Sequence, residues 1–115
     1  MTDCKLADQT CIPCRGDTPP LSTEAAQTLL ARLGDDWIIN AAGHLERSFS
    51  FDDFASALAF TNQVGATAEH AGHHPDLYLA WGRCRVEIWT HKIDGLAEAD
   101  FILAAKASRA YAAPA

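Results

Sequence analysis

The chain carries five histidines, and four of them fall in two places. His70, His73 and His74 lie in Glu69-His-Ala-Gly-His-His-Pro-Asp76, and His91 lies in Trp89-Thr-His-Lys92. An unperturbed imidazole titrates near ~6.5, so it can give or take a proton near neutral pH without a large environmental shift. Several imidazoles around one point suit general acid–base chemistry on a small molecule. The plain alternative is a set of solvated loop side chains. A metal site is a second alternative, because His70 with His73 or His74 has helical spacing and Glu69 or Asp76 could complete a ligand set. Gly72 and Pro75 interrupt that spacing, and no HExxH pattern occurs. Cys11-Ile-Pro-Cys14 is a CxxC without a second CxxC for zinc. It lies in a Pro-rich stretch, not between a strand and a helix, so an incidental or structural thiol pair is expected in place of a redox site.

Whether the histidines meet depends on the elements that carry them. Residues 1–20 contain Pro13, Gly16, Pro19 and Pro20 and show no periodicity, so they read as an irregular arm before one domain over 21–111. Ser22 is a helix N-cap, with Ala26, Leu29, Leu30 and Leu33 on one face and Gly34 as the stop. Trp37 to Ile39 and a second strand bearing Leu45, Phe49 and Phe51 on one side make a hairpin across Asn40–Gly43. Asp52 or Asp53 caps a helix whose inner face is Phe54, Ala57, Leu58, Thr61, Val64 and Ala68. Gly72 and Pro75 end it.

A third strand is expected from Leu77 to Trp81, with Gly82-Arg83 as a turn. In the fourth strand Cys84, Val86, Ile88 and Thr90 alternate with Arg85, Glu87, Trp89 and His91, the first set facing the core. A last helix starts near Glu98, with Phe101, Ala104, Ala105 and Ser108 inward and the tail fraying. Glu98 and Asp100 in its first turn suit the helix dipole. The order αββαββα implies an α+β fold: a four-stranded antiparallel sheet covered on one face by three helices. The histidine loop precedes strand three and His91 ends strand four. Adjacent antiparallel strands would therefore bring His73, His74 and His91 to one sheet edge. Trp81 and Trp89 are either ordinary strand residues or aromatic surface for a flat heterocycle.

Composition agrees with a single small domain. The 115 residues are 49% hydrophobic and 21% charged, which suits a packed core. So short a chain buries a limited share of its surface, which favours self-association. A net charge of −6 argues against a nucleic-acid partner held through phosphates. No apolar run reaches the ~20 residues of a membrane span. The opening MTDCKLADQTC lacks a secretory pattern, so a cytoplasmic protein with free thiols is expected.

Glu69-x3-His73-His74-Pro75, then Trp81, Thr90-His91, Gly95-Leu96 and Asp100, together resemble the signature of pterin-4a-carbinolamine dehydratases. Ala57-Leu-Ala-Phe-Thr-Asn-Gln-Val-Gly65 and Trp89-Thr-His-Lys-Ile-Asp-Gly-Leu96 look like the bacterial branch, as do Cys11-x-Pro-Cys14 and Pro19-Pro-Leu-Ser22. The resemblance spans roughly Cys11 to Lys106. It implies the same αββαββα fold, a dimer or tetramer, and loss of water from 4a-hydroxytetrahydrobiopterin to give quinonoid dihydropterin without metal or other cofactor. It also implies tetrahydropterin recycling for aromatic amino acid hydroxylation, with a pterin-dependent hydroxylase as a possible partner.

By position, the resemblance makes His73 and His91 general acids on the departing 4a-hydroxyl. His74 becomes a pterin-binding residue that helps remove the N5 proton. Glu69, Trp37, Trp81 and Asp100 become substrate-binding or supporting residues. The chain departs from the family pattern at Leu77, where an aromatic is common. It departs again at Ala97, where a capping Ser is common and its loss implies a cost of about 1 kcal/mol. The competing expectation is a catalytically silent dehydratase-like protein that acts as an assembly factor, for example for Rubisco, or as a protein-binding module. An intact histidine set is something such a scaffold does not need.

Overall fold

The computed structural model describes residues 19–112 except Asp35. The elements are α1 (Thr23–Leu33), β1 (Ile38–Ile39), β2 (Leu45–Ser50), α2 (Phe54–Ala71), β3 (Asp76–Ala80), β4 (Arg83–Ile88), a 3₁₀ turn (His91–Ile93) and α3 (Glu98–Ala112). The fold is α+β in the expected order αββαββα. Residues 1–18 of the expected arm, including the Cys11–Cys14 pair, and the last three residues lie outside the described residues.

Local signals explain the boundaries. Ser22 accepts the Ala25 N–H at 3.1 Å and Asp53 accepts the Ser56 N–H at 2.7 Å, each capping a helix start. Strand 3 begins one residue earlier than expected, and the tight turn is Trp81-Gly82, because Ala80 pairs with Arg83. Gly82 takes φ 72, which a two-residue hairpin turn requires.

The sheet order is β1-β2-β4-β3, all antiparallel. The inward set Leu45, Phe49, Cys84, Val86 and Ile88 is fully buried, together with Phe101 and Leu103 of α3. Each such aliphatic or aromatic side chain contributes about 1.5–3 kcal/mol of transfer energy. α3 is the central helix, packed against α1, α2 and β2. Consequently it buries Ile102, Leu103 and Ala107 as well as the expected Phe101 and Ala104, while Ala105 and Ser108 are only half-buried.

The inner face of α2 differs from the expectation. Ala57, Phe60, Val64 and Ala68 are buried, whereas Phe54 and Leu58 are exposed. Leu58 lies about 100° round the helix from Ala57, so a face that continues through Val64 and Ala68 turns it outward. No helix among the described residues is long and apolar enough to cross a membrane.

Candidate active site

His73 is placed by the way α2 ends. Gly72 adopts the left-handed conformation at φ 69. Its N–H bonds the Glu69 carbonyl at 3.2 Å, and the His73 N–H bonds the Ala68 carbonyl at 3.1 Å. That pair of bonds is a Schellman motif, which turns the chain sharply and satisfies two terminal carbonyls. His73 leaves the turn aimed at the first turn of α3, where its Nε2–H donates to Asp100 Oδ1.

Asp100 is completely buried. Its Oδ2 accepts from the Thr90 hydroxyl at 2.7 Å and from the Ala97 N–H at 2.8 Å. The Ala97 bond is the acidic half of a capping box, so the helix start is tied down although Ala97 has no capping side chain of its own. Thr90 is buried too, and its N–H bonds the Gly95 carbonyl at 2.9 Å. That bridge closes the 3₁₀ turn whose first residue is His91. One carboxylate therefore links the end of α2, the end of β4 and the start of α3.

The segments after α2 and after β4 border an open cleft of about 200 Å³, lined by Gly72, His73, His74, Trp89, Thr90, His91 and Lys92. His74 is exposed, and its Nε2–H donates to Glu69 Oε1 at 2.7 Å. His91 is exposed and stacks on Trp89, with ring centroids 4.3 Å apart and planes at 16°. His73 is nearly buried but reaches the cleft wall. With Nε2 committed in both His73 and His74, Nδ1 is the nitrogen left on each ring for proton exchange.

Four supporting residues were expected. Glu69 stands beside the cleft and orients His74. Asp100 reaches the site only through His73 and Thr90, because burial keeps it from any ligand. Trp37 and Trp81 do not join the site. The Trp37 ring is 2% exposed, packs edge-on against Phe49 and donates its Nε1–H to Ser108 at 2.8 Å, so it is a core residue. Trp81 is 72% exposed in the turn after β3, at the far end of that strand from His74. Five strand residues at ~3.4 Å each put it roughly 17 Å away.

Other residues gain significance only in three dimensions. Thr90 reads as one more inward strand residue, but a buried hydroxyl needs a partner, and it finds one in Asp100. Trp89 reads either as an ordinary strand residue or as surface for a flat ligand, yet both its faces carry imidazoles. His44 lies 3.8 Å from it with planes at 3°, and His91 is the second. Two imidazoles so close to one ring centre cannot share a face.

His44 Nδ1–H also donates to Glu87 at 2.7 Å. That bond, assisted by Asn40 and by Arg85, holds the Glu87 carboxyl below the ordinary glutamate range against the opposing effect of burial. Cys84 sits in the core, and burial pushes its thiol up, away from a reactive thiolate. Among the described residues no three His, Cys, Asp or Glu side chains gather in a metal-binding group.

Comparison with known proteins points the same way as this geometry. The family described as pterin 4 alpha carbinolamine dehydratase matches residues 19–110. Proteins named, provisionally, as pterin-4-alpha-carbinolamine dehydratases are similar over most of their length. One from Rickettsia bellii is 53% identical, covering 90% of this chain and 91% of its own. One from Alkaliphilus metalliredigens is 46% identical, covering 90% and 94%. The crystal structure of a transcriptional coactivator/pterin dehydratase from Brucella melitensis superposes with a TM-score of 0.74 at 32% identity, covering 79% of this chain and 97% of that one. The chain belongs to the pterin-4-alpha-carbinolamine dehydratase family.

Proposed function

We propose that this protein dehydrates 4a-hydroxytetrahydrobiopterin to quinonoid dihydropterin by histidine acid–base catalysis. The observation that carries the reading is the cleft in which His73, His74 and His91 stand together, with His73 tied to buried Asp100. In the reaction the C4a–O bond breaks and the hydroxyl departs as water, taking a proton from an imidazolium. The N5 proton leaves to a base and the C4a=N5 bond forms, so the balance is loss of one water. Hydroxide is a poor leaving group. A positioned acid that protonates it as the bond breaks contributes ~10²–10⁴-fold.

His73 and His91, both lining the cleft, serve as the acids. His74, oriented by Glu69, binds the pterin and accepts the N5 proton. The Asp100 carboxylate holds the His73 ring in one tautomer, as a buried acid does for a catalytic imidazole in hydrolytic triads. In its setting the enzyme works in the cytoplasm as a homodimer or homotetramer. It recycles tetrahydropterin for an aromatic amino acid hydroxylase, which is its candidate partner.

The test supplies the carbinolamine and follows dehydration spectroscopically. Wild-type protein should outrun buffer alone, and His73→Ala should lose most of that excess. A wild-type rate equal to buffer would sink the enzymatic reading in favour of a protein-binding role.

A further inference from the structure

His91 is the least anchored of the three cleft histidines. Among the described residues its ring nitrogens make no hydrogen bond, whereas His73 is tied to Asp100 and His74 to Glu69. An exposed side chain with that freedom would sample several rotamers, and a proton donor must be aimed to act. The contact that restrains it is the Trp89 face, 4.3 Å from its ring centre.

Trp89 is in turn backed by His44. The strand register pairs Leu45 with Ile88, which sets His44 directly across from Trp89. The His44 ring is pinned by its Nδ1–H, which bonds Glu87 at 2.7 Å. Its backbone N–H bonds Asn40 Oδ1 at 3.0 Å, which fixes the main chain that carries the ring. Asn40 also donates to Glu87 at 3.1 Å and to Glu46 at 3.0 Å, so the anchor is itself braced on the open sheet face.

We infer that His44 is a positioning residue: fixed by Glu87 and Asn40, it clamps the Trp89 indole against His91 and thereby aims that imidazole into the cleft. The inference rests on the dehydratase reading for its catalytic consequence, but the clamp is a property of the folded chain. It assigns a use to the fifth histidine, which stands outside the cleft. It also accounts for a tryptophan beside the cleft that has no free face for a substrate ring.

The test compares His44→Ala with His44→Phe, which keeps a flat ring for the stack. Two readouts are taken: steady-state kinetics on the carbinolamine, and the NMR resonances of the His91 ring protons, which the indole ring current displaces in a fixed stack. His44→Ala should lower kcat roughly 10-fold with KM near wild type, within the ~10²-fold that an ångström of misplacement can cost. Its His91 resonances should move toward those of an unstacked histidine. His44→Phe should keep most of kcat and the displaced resonances. Unmoved His91 resonances in His44→Ala, or an unchanged kcat, overturn the inference. A wild-type protein without dehydratase activity would sink the functional reading alone, and the resonances would still decide the clamp.

Discussion

His73 donates its Nε2–H to the carboxylate of Asp100, and that carboxylate is wholly removed from solvent. A buried acid of this kind cannot touch a ligand, so its effect on chemistry must pass through the imidazole. Asp100→Asn keeps the volume but presents an amide N–H2 where acceptors are needed by His73, Thr90 and Ala97. Hydrogen bonds to a charged group are worth roughly 1.5–3 kcal/mol each, so a stability loss of about that size is expected in a denaturant melt. Turnover should fall by at least ~10²-fold, because His73 is left without its fixed tautomer. KM should move little. A rise in KM with kcat preserved would mean that Asp100 contacts substrate after all.

His91 gives a cleaner separation of chemistry from stability. It is exposed and bonds no side chain by hydrogen bond among the described residues. His91→Ala should therefore melt within ~0.5 kcal/mol of wild type, as surface substitutions do. Its kcat should nevertheless drop ~10²–10⁴-fold if His91 is a general acid. Thermal melts and turnover on one preparation settle the matter, and full activity in His91→Ala would remove it from the mechanism.

Trp37 should behave in the opposite way. Its indole N–H bonds Ser108, which also receives Arg47 at 3.0 Å, so it closes a packed corner of the core. Trp37→Phe keeps the ring against Phe49 and deletes that bond, at a cost of about 1 kcal/mol. Activity per folded molecule should stay at the wild-type level. A specific loss of substrate affinity would return Trp37 to the site.

These contrasts show where sequence reasoning reaches and where it stops. The alternation Cys84, Val86, Ile88, Thr90 and the cap at Ser22 are local patterns with one physical reading each, and the fold keeps them; of the two candidate caps Asp52 and Asp53, the fold uses Asp53. The convergence of His73, His74 and His91 follows from antiparallel neighbours, which is a rule of topology. What the chain does not reveal is which polar groups become partners across distance. Asp100 looks like a helix-dipole acid until Thr90 and His73 close on it from two other elements. Trp37 and Trp81 are the same residue type, and only packing shows that one is core and the other a distant turn. Leu58 failed as a core residue because a hydrophobic position beside the helix stripe is not distinguishable from one on it by residue type alone.

The pair formed by His44 and Glu87 predicts a pH dependence of stability. The His44 hydrogen bond is the main reason that the Glu87 carboxyl lies below the ordinary glutamate range. A carboxyl depressed in the folded state contributes stability that is present above its unfolded value and is lost as pH falls through its folded value. Wild type should therefore exceed Glu87→Gln in stability at neutral pH. The gap should narrow as pH drops below the ordinary glutamate value. Urea midpoints measured across the acid range provide the check. A gap independent of pH would show that Glu87 acts by packing and not by charge.

Gly95 ties the start of the described chain to the turn that carries His91. A Cβ on Gly95 would lie 2.9 Å from the Pro20 Cβ, closer than carbon atoms tolerate. The two segments are already stitched there, since the Leu21 N–H bonds the Leu96 carbonyl at 2.8 Å. Gly95 also bridges Thr90 and so closes the turn that carries His91. Overpacking of this kind costs about 1–3 kcal/mol, so Gly95→Ala should melt earlier by that amount. It should also lose turnover, because relief of the clash must shift either the Pro20 segment or the His91 turn. Pro20→Gly removes the opposing carbons. If the clash is the cause, the double variant Pro20→Gly/Gly95→Ala will be more stable than the sum of the two single losses requires, a coupling that a double-mutant cycle reads directly. Strictly additive losses would mean that Gly95 is needed for its backbone and not for the space it leaves to Pro20.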